Sequence, residues 1–163
     1  MRIEIVKNLT ENQANQIDEL WNDVYPIQLK NRFGLLLDGI EEYEHHVLFN
    51  DSDDLVGWAV AFLRNNEIWF SILIATVNQN RGYGKLLIDS LKRKFNYLCG
   101  WVIDHNNYVK QNGSIYHTPM QFYQKNGFII TGERIETDIL SAVKIIFKGS
   151  NGGSEEAMIS ALN

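Results

Sequence analysis

The sequence has 163 residues, which is enough for one domain with a sizeable core but too few for two domains of ordinary size. Its 15 Lys and Arg residues against 20 Asp and Glu residues give a formal net charge of −5, which argues against a general nucleic-acid binder. Cys99 is the one cysteine, so an internal disulfide and a cysteine-based zinc site are excluded. Nowhere do 18 apolar residues run together, and we expect a cytoplasmic protein that binds neither nucleic acid nor membrane.

The N-terminal part of the chain predicts a strand followed by helices. The segment RIEIVKN alternates apolar and polar residues, as a short strand does. Thr10 and Gln13 then form the pattern of a capping box, and Pro26 ends the helix that this box begins. The next segment, IQLKNRFGLLLDGIEEYEHH, predicts a second and less regular helical region, broken near Gly34 and Gly39.

Three strands in succession are predicted within HVLFNDSDDLVGWAVAFLRNNEIWFSILIA. Asp51 to Asp54 supplies the first turn. Asn65 and Asn66 supply a tight hairpin turn, because Asn tolerates a positive φ.

The C-terminal half alternates helices and strands. A helix beginning near Tyr83 precedes the buried strand YLCGWVID, and Gly127 ends the short helix MQFYQKNGF. FIITGERIE and SAVKIIFKG predict two final strands, and the Gly/Ser-rich segment 149–163 predicts a flexible tail. The order of elements predicts a mixed sheet with helices on its faces, in one domain over residues 1–148.

The segment VNQNRGYGKLL places two glycines and two cationic residues where a strand becomes a helix. The N-terminus of a helix leaves backbone N–H groups unpaired and carries positive potential. Gly82 and Gly84 would let the backbone close around an anion, while Arg81 and Lys85 would attract a polyphosphate. The pattern therefore indicates a phosphate-binding loop.

Three kinds of phosphate loop compete for this segment. A P-loop needs glycine at position 79 and Ser or Thr after the lysine, but the chain has Gln79 and Leu86. A dinucleotide fingerprint needs a third glycine at position 87, where Leu87 stands. The remaining pattern, Gln-x-x-Gly-x-Gly, is matched by Gln79, Gly82 and Gly84.

This pattern resembles the GNAT superfamily of acyl-CoA-dependent N-acetyltransferases, whose loop binds the pyrophosphate of coenzyme A. A second motif, FYQKNGF, follows at residues 122–128, and the resemblance covers about residues 55–148. The family's frequent Val-x-Pro before the loop is absent, because Ile74 and Thr76 stand there. The resemblance implies an α/β (α+β) GNAT fold with a mixed central sheet of about seven strands, helices on both faces and a splay between strands 4 and 5.

The resemblance also implies an acyltransferase that moves an acetyl group from acetyl-CoA directly to a primary amine of a small molecule or a protein, without a metal. Backbone N–H groups around the end of the fourth strand would polarise the thioester oxygen. The residues implied to bind the co-substrate are Leu73, Ile74, Gln79, Asn80, Arg81, Gly82, Tyr83, Gly84 and Lys85. Family members often dimerise, so a homodimer is also implied. The alternatives are a non-catalytic acyl-CoA-binding or sensing module of the same fold and a plain interaction domain.

Acetyl transfer needs a neutral amine and a proton for the departing thiolate. In enzymes that resemble this one the tyrosine of the second motif supplies that proton, which makes Tyr123 the candidate acid; the alternative is a core aromatic. Glu67 and His105 are candidate bases. Glu67 opens the fourth strand but stands one residue too far from Gln79, so it faces away unless a bulge intervenes. Histidine titrates near neutral pH, although one at a strand end is commonly a surface residue.

The acceptor should lie across from coenzyme A, between the first two helices and the insertion HNNYVKQNGSIYHTP, which is long enough to form a lid. Candidate lining residues are Trp21, Tyr25, Arg32, Tyr108 and Tyr116, although Trp21 also fits the core. The remaining histidines, His45, His46 and His117, are interpreted as surface or loop residues with no metal-site spacing, and Cys99 as a buried apolar residue.

Overall fold

The computed structural model describes residues 1–150, so most of the predicted tail at 149–163 lies outside the described residues. The helices are α1 Glu11–Val24, α2 Tyr83–Lys94 and α3 Met120–Lys125. The strands are β1 Arg2–Val6, β2 Tyr43–Phe49, β3 Leu55–Arg64, β4 Glu67–Ile74, β5 Tyr97–Val102, β6 Ile129–Glu136 and β7 Ser141–Lys148.

The seven strands form one mixed sheet in the order β1-β2-β3-β4-β5-β7-β6. Neighbouring strands run antiparallel except β4 and β5, which are parallel and paired only at Trp69 and Cys99. Beyond that pair the two strands separate towards their carboxyl ends. The predicted fold class, including the splay between strands 4 and 5, is confirmed.

Helices cover both faces of the sheet. Ile17, Leu20 and Trp21 of α1 are buried against one face. Helices α2 and α3 cover the other face with apolar residues that include Leu87 and Tyr123. Side chains alternate between the two cores along β4, which therefore stands between α1 on one side and α2 with α3 on the other.

Local sequence signals set the ends of several elements. The capping box at α1 is present, with Gln13 N donating to Thr10 Oγ1 at 3.1 Å and Thr10 N donating to Gln13 Oε1 at 3.0 Å. Asn65 and Asn66 have φ values of 51° and 62°, as a tight hairpin turn between β3 and β4 requires. The three predicted strands β2, β3 and β4 are confirmed.

The predicted second helical region is wrong. Residues 27–46 contain two single 3₁₀ turns, Ile27–Leu29 and Phe33–Leu35, and the start of β2. Asn31 and Gly39 both adopt positive φ, which interrupts any helix, and apolar side chains such as Leu29 and Leu36 pack irregularly on the α1 side of the core.

Within residues 1–150, no helix is long and apolar enough to cross a membrane. The same part of the chain contains no group of three His, Cys, Asp or Glu side chains that could hold a metal ion.

Candidate active site

The separation of β4 from β5 leaves backbone amides of β4 without strand partners. Ala75 N donates to Val56 O on the β3 side at 2.9 Å, and amides along an antiparallel strand alternate in direction. Leu73 therefore points its N–H towards β3, whereas Ile72 and Ile74 point theirs towards the β4–β5 gap. Of the two residues that the sequence indicated, Ile74 thus directs its N–H into the gap and Leu73 does not, and Ile72, which the sequence analysis did not name, also faces the gap.

The glycine loop, residues 79–85, joins β4 to α2. Gln79 Nε2 donates to Ile74 O at 3.1 Å and ties the start of the loop to the end of β4. Asn80 and Gly82 adopt the left-handed conformation, with φ of 62° and 82°. Within residues 1–150, the six consecutive amides of residues 80–85 donate to no backbone or side-chain acceptor. Successive unpaired N–H groups at a helix N-terminus form an anion-binding concavity.

The two glycines of the loop have different structural roles. A Cβ on Gly82 would meet no atom within 4 Å, so this position is open and needs glycine for its positive φ. A Cβ on Gly84 would lie 3.0 Å from Phe122 Cζ, so Gly84 is small because α3 packs against it. The loop motif and the FYQKNGF motif are therefore in direct contact.

The cationic residues of the loop are exposed. Lys85 pairs with Asp89 at 2.7 Å, a surface i,i+4 contact of little energetic weight. Arg81 forms no ion pair with any residue of the described part of the chain. Both side chains are accessible to an anion at the loop.

Tyr123 lies on the α2 side of the gap and is 7% exposed. Its ring packs edge-on against Phe70, the first β4 residue after the last pair with β5, with ring centroids 5.7 Å apart. The hydroxyl has no hydrogen-bond partner within residues 1–150. Burial raises the pKa of Tyr123 well above its usual value, and the nearby Tyr25 and Tyr116 raise it further. The phenol therefore stays protonated at neutral pH.

Two further tyrosines border the gap from the α1 face. Tyr25, at the end of α1, shares a 3.0 Å hydrogen bond with Ser71 Oγ in the separated part of β4. Its ring lies 6.4 Å from that of Tyr116, which belongs to the insertion between β5 and α3. Burial raises the pKa of both phenols. The gap thus has uncharged hydroxyl groups on both sides.

The other predicted acceptor residues are more distant from the gap or already bonded. Trp21 is a core residue whose Nε1 donates to Leu29 O at 2.7 Å. Tyr108 accepts a hydrogen bond from Ser141 N at 2.9 Å. Arg32 caps the second 3₁₀ turn. Of the five predicted lining residues, Tyr25 is the one that bonds to the separated part of β4, and its ring contacts both Tyr116, at 6.4 Å, and the core residue Trp21, at 4.6 Å.

His105 lies just beyond the carboxyl end of β5. Its ring packs against Tyr108 at 4.5 Å, and its Nδ1 accepts a hydrogen bond from Asn107 N at 3.2 Å. The adjacent Asp104 is bonded to Arg134, and this bond holds the pKa of Asp104 below its usual value. His105 forms no ion pair with any residue of the described part of the chain.

Glu67 lies at the opposite end of β4, about 23 Å from Ile74 at a strand rise of about 3.3 Å per residue. The β3–β4 register is continuous from Arg64–Glu67 to Gly57–Ile74, so no bulge turns Glu67 towards the gap. It bonds to Tyr97 Oη at 2.7 Å and to Lys144 Nζ at 2.9 Å.

Although burial opposes ionisation of Glu67, these two bonds hold its pKa below the usual value. The structure does not bring Glu67 to the other candidate catalytic groups. Nearby, burial raises the pKa of Cys99 to about 12, which keeps this thiol unreactive.

The interpretation of His45 and His46 as surface residues is wrong. Both lie in β2 and are 4% and 0% exposed. His46 Nδ1 lies 2.7 Å from Ser90 Oγ of α2, and its Nε2 lies 2.8 Å from Glu44 Oε1. Lys94 of α2 also pairs with Glu44. These buried polar bonds attach α2 to the sheet and so fix the helix whose N-terminus forms the glycine loop.

The fold and the loop together define a class of protein, the acyltransferases that use coenzyme A thioesters. A family model described as an acetyltransferase (GNAT) domain matches residues 41–130. The match covers more than half of the chain, and the protein belongs to the GNAT acetyltransferase family. It is therefore an acyltransferase.

Solved structures of N-acetyltransferases share the fold. An aminoglycoside 6′-N-acetyltransferase complexed with coenzyme A is 14% identical, with a TM-score of 0.65 over 91% of this chain and 97% of that one. The aminoglycoside 6′-N-acetyltransferase of Enterococcus faecium is 14% identical, with a TM-score of 0.67 over 91% of this chain and 97% of that one. The ribosomal-protein-S18-alanine N-acetyltransferase of Escherichia coli is 16% identical, with a TM-score of 0.63 over 94% of this chain and 97% of that one. No curated protein sequence is significantly similar to the chain.

Proposed function

We propose that the protein is an N-acetyltransferase that transfers an acetyl group from acetyl-CoA directly to a primary amine. The observation that carries this proposal is the run of six unpaired amides at residues 80–85, next to a gap between parallel strands, in a chain of the GNAT family. A pyrophosphate needs several donors at close range, and this loop supplies them without a side chain in the way at Gly82.

The residues proposed to hold the pyrophosphate are those of the glycine loop. Gln79 fixes the loop through its bond to Ile74 O, residues 80–85 donate their amides, and Arg81 and Lys85 add attraction. The amides of Ile72 and Ile74 face the β4–β5 gap, where they would stabilise the negative charge that develops on the carbonyl oxygen of the activated acyl group that acetyl-CoA supplies.

Tyr123 is proposed as the acid that donates a proton to the departing thiolate. Its neutral phenol is held against Phe70 and its hydroxyl has no partner within residues 1–150, so it is available to a group in the gap. A thiol has an ordinary pKa of about 8.5, well below that of a buried phenol, so Tyr123 assists by a hydrogen bond to the sulfur as the C–S bond breaks, and the proton that the amine loses replaces any proton that the phenol gives up.

His105 is proposed as the group that removes a proton from the acceptor amine. It lies at the exposed carboxyl end of β5, where a proton passes readily to solvent. The bond from Asn107 N favours the tautomer with the proton on Nε2, so Nδ1 is the basic atom and would have to exchange this bond for the proton of the amine. Glu67 is not proposed for this step, since it is bonded to Lys144 and Tyr97 at the far end of β4.

The test of this function is amine-dependent release of coenzyme A from acetyl-CoA, followed with a thiol reagent over a broad panel of primary amines. Cys99 is buried and does not contribute to the thiol signal of the folded protein. Turnover with at least one amine supports the enzyme. Tight binding of acetyl-CoA without turnover on any amine favours a binding or sensing module, and no binding at all contradicts both.

Substitution of the loop glycines is expected to weaken binding of coenzyme A. Gly82→Ala forces an L-residue into a left-handed conformation at a cost of about 1–2 kcal/mol, and relaxation of the loop would turn its amides away, giving about tenfold weaker binding. Gly84→Ala crowds Phe122 and is expected to weaken binding similarly. Isothermal titration calorimetry measures both constants.

Gly39→Ala is the matched control for this comparison. Gly39 also has a positive φ, of 73°, and a Cβ there would meet nothing within 4 Å. Gly39→Ala has the same conformational cost but lies outside the loop, so the affinity of this variant for coenzyme A should equal that of the wild type. If Gly82→Ala binds coenzyme A as tightly as Gly39→Ala does, the loop is not the binding site.

A further inference from the structure

The insertion between β5 and α3 is an ordered hairpin. Val109 and Ile115 form an antiparallel bridge, and Lys110 N donates to Ser114 O at 2.8 Å. Tyr116 N donates to Tyr108 O at 2.9 Å, and Gly113 takes a positive φ of 84° at the tip. The insertion hairpin, residues 108–116, is therefore a folded element held together by its own backbone bonds.

The insertion hairpin is joined to the chain that follows α1. Pro26 and Lys110 form an antiparallel bridge, and Ile27 N donates to Val109 O at 2.9 Å. A side-chain contact reinforces this junction, because Thr76 Oγ1 donates to Asp23 Oδ2 at 2.8 Å and lies 3.4 Å from Lys110 Nζ. The end of α1, the hairpin and the segment after β4 are thus connected to one another.

This junction covers the α1 face of the β4–β5 gap. Tyr25, directly before Pro26, is bonded to Ser71 of β4, and Tyr116 of the hairpin packs against Tyr25. One part of the cover therefore lies over β4 and the other over the carboxyl end of β5.

We infer that the acceptor side of the gap is a covered pocket that admits a compact small-molecule amine and excludes amines carried by peptides or folded proteins. The cover consists of residues 25–27 and the insertion hairpin, and it is called the roof below. The bridge between Pro26 and Lys110 and the bond from Ile27 N to Val109 O close the α1 face of the gap and so leave no opening there for the backbone of a peptide. The lining of hydroxyl groups from Tyr25, Ser71 and Tyr116 suits a compact amine that is recognised by hydrogen bonds. This inference rests on the proposed function.

The first test locks the roof. The bond from Ile27 N to Val109 O makes Pro26 and Lys110 a non-hydrogen-bonded pair, with Cα atoms about 4.5 Å apart, which a disulfide can bridge. The double variant Pro26→Cys/Lys110→Cys is oxidised, and its activity on small amines is compared with that of its reduced form. We expect kcat/KM values within about twofold of each other. Pro26→Ser/Lys110→Ser is the matched control without thiols.

The second test opens the roof. Residues 109–115 are replaced by Gly-Gly, the fold is checked by circular dichroism, and wild type and variant are assayed on small primary amines and on peptides with free N-terminal and lysine amines. We expect wild type to acetylate only small amines and the opened variant to gain at least about tenfold in kcat/KM on peptides relative to small amines. If the opened variant does not fold, the inference is tested by the oxidised disulfide variant and by the activity of the wild type on peptides relative to small amines.

Each result has a defined meaning. Wild-type kcat/KM on any peptide or folded protein that equals the best small-amine value overturns the inference and leaves the proposed function intact. Loss of small-amine turnover in the oxidised lock, restored by reductant, also overturns it, because the roof would then have to open. Binding of acetyl-CoA with no amine-dependent release of coenzyme A overturns the proposed function and the inference together.

Discussion

Tyr123→Phe is expected to lower kcat about 10²–10³-fold while leaving the affinity for coenzyme A unchanged. The substitution removes one hydroxyl that has no hydrogen-bond partner within the described residues, so no protein bond is lost. The ring still packs against Phe70, Phe122 and Phe128, so the core is kept. Steady-state release of coenzyme A from acetyl-CoA measures kcat, and calorimetry measures the affinity.

The control for this result is Tyr43→Phe, which removes a tyrosine hydroxyl at the start of β2, far from the gap. It should leave kcat unchanged. If Tyr123→Phe retains wild-type kcat at saturating amine and acetyl-CoA, Tyr123 is a core aromatic and another group protonates the thiolate. An equal loss in both variants would indicate a general effect on the fold.

The protein is expected to lose about 3 kcal/mol of unfolding free energy between pH 6.5 and pH 4 through His45 alone. Burial, followed by the neighbouring His46, lowers the pKa of His45 to about 4 from an ordinary value of 6.5. Its Nδ1 accepts a hydrogen bond from Trp58 Nε1 at 3.0 Å, which favours the neutral ring. Between these pH values the unfolded chain binds the proton and the folded chain does not, so stability falls as the pH falls.

His45→Asn separates this contribution from that of the carboxylates. The Asn Oδ1 can accept the Trp58 N–H but cannot be charged, so the variant should lack the His45 part of the acid destabilisation. Urea unfolding at pH 7, 6, 5 and 4 gives the free energy for both proteins. We expect the two curves to differ in slope between pH 6.5 and 4, with the wild type losing about 3 kcal/mol more. Parallel curves would show that His45 titrates normally in the folded protein.

Much of the fold is predictable because its signals are local. The Asn65–Asn66 turn sets the β3–β4 register by itself, and the capping box of Thr10 and Gln13 sets the start of α1. The segment after Pro26 carries helical spacing, but Asn31 and Gly39 take positive φ and tertiary packing decides its path. Spacing over one segment cannot reveal such packing.

The candidate site divides in the same way. The path of the glycine loop is predictable because Asn80 and Gly82 are residue types that adopt a positive φ readily. The amide of Ile72 was missed, although counting from the Asn65–Asn66 turn gives its direction without any structure. The bond between His46 and Ser90 joins residues 44 positions apart, and the Pro26–Lys110 bridge joins two irregular segments. Neither contact can be predicted from a local sequence pattern.

The central claim is that the amides of residues 80–85 bind the pyrophosphate of coenzyme A and thereby direct its thioester into the gap between β4 and β5. The most direct measurement is an amide-resolved ¹⁵N NMR titration of the protein with coenzyme A, with adenosine as the ligand that lacks phosphate. The account predicts that the largest shift changes with coenzyme A fall on residues 80–85 and that adenosine leaves these amides unmoved. Saturable binding of coenzyme A with no change at these amides would contradict it.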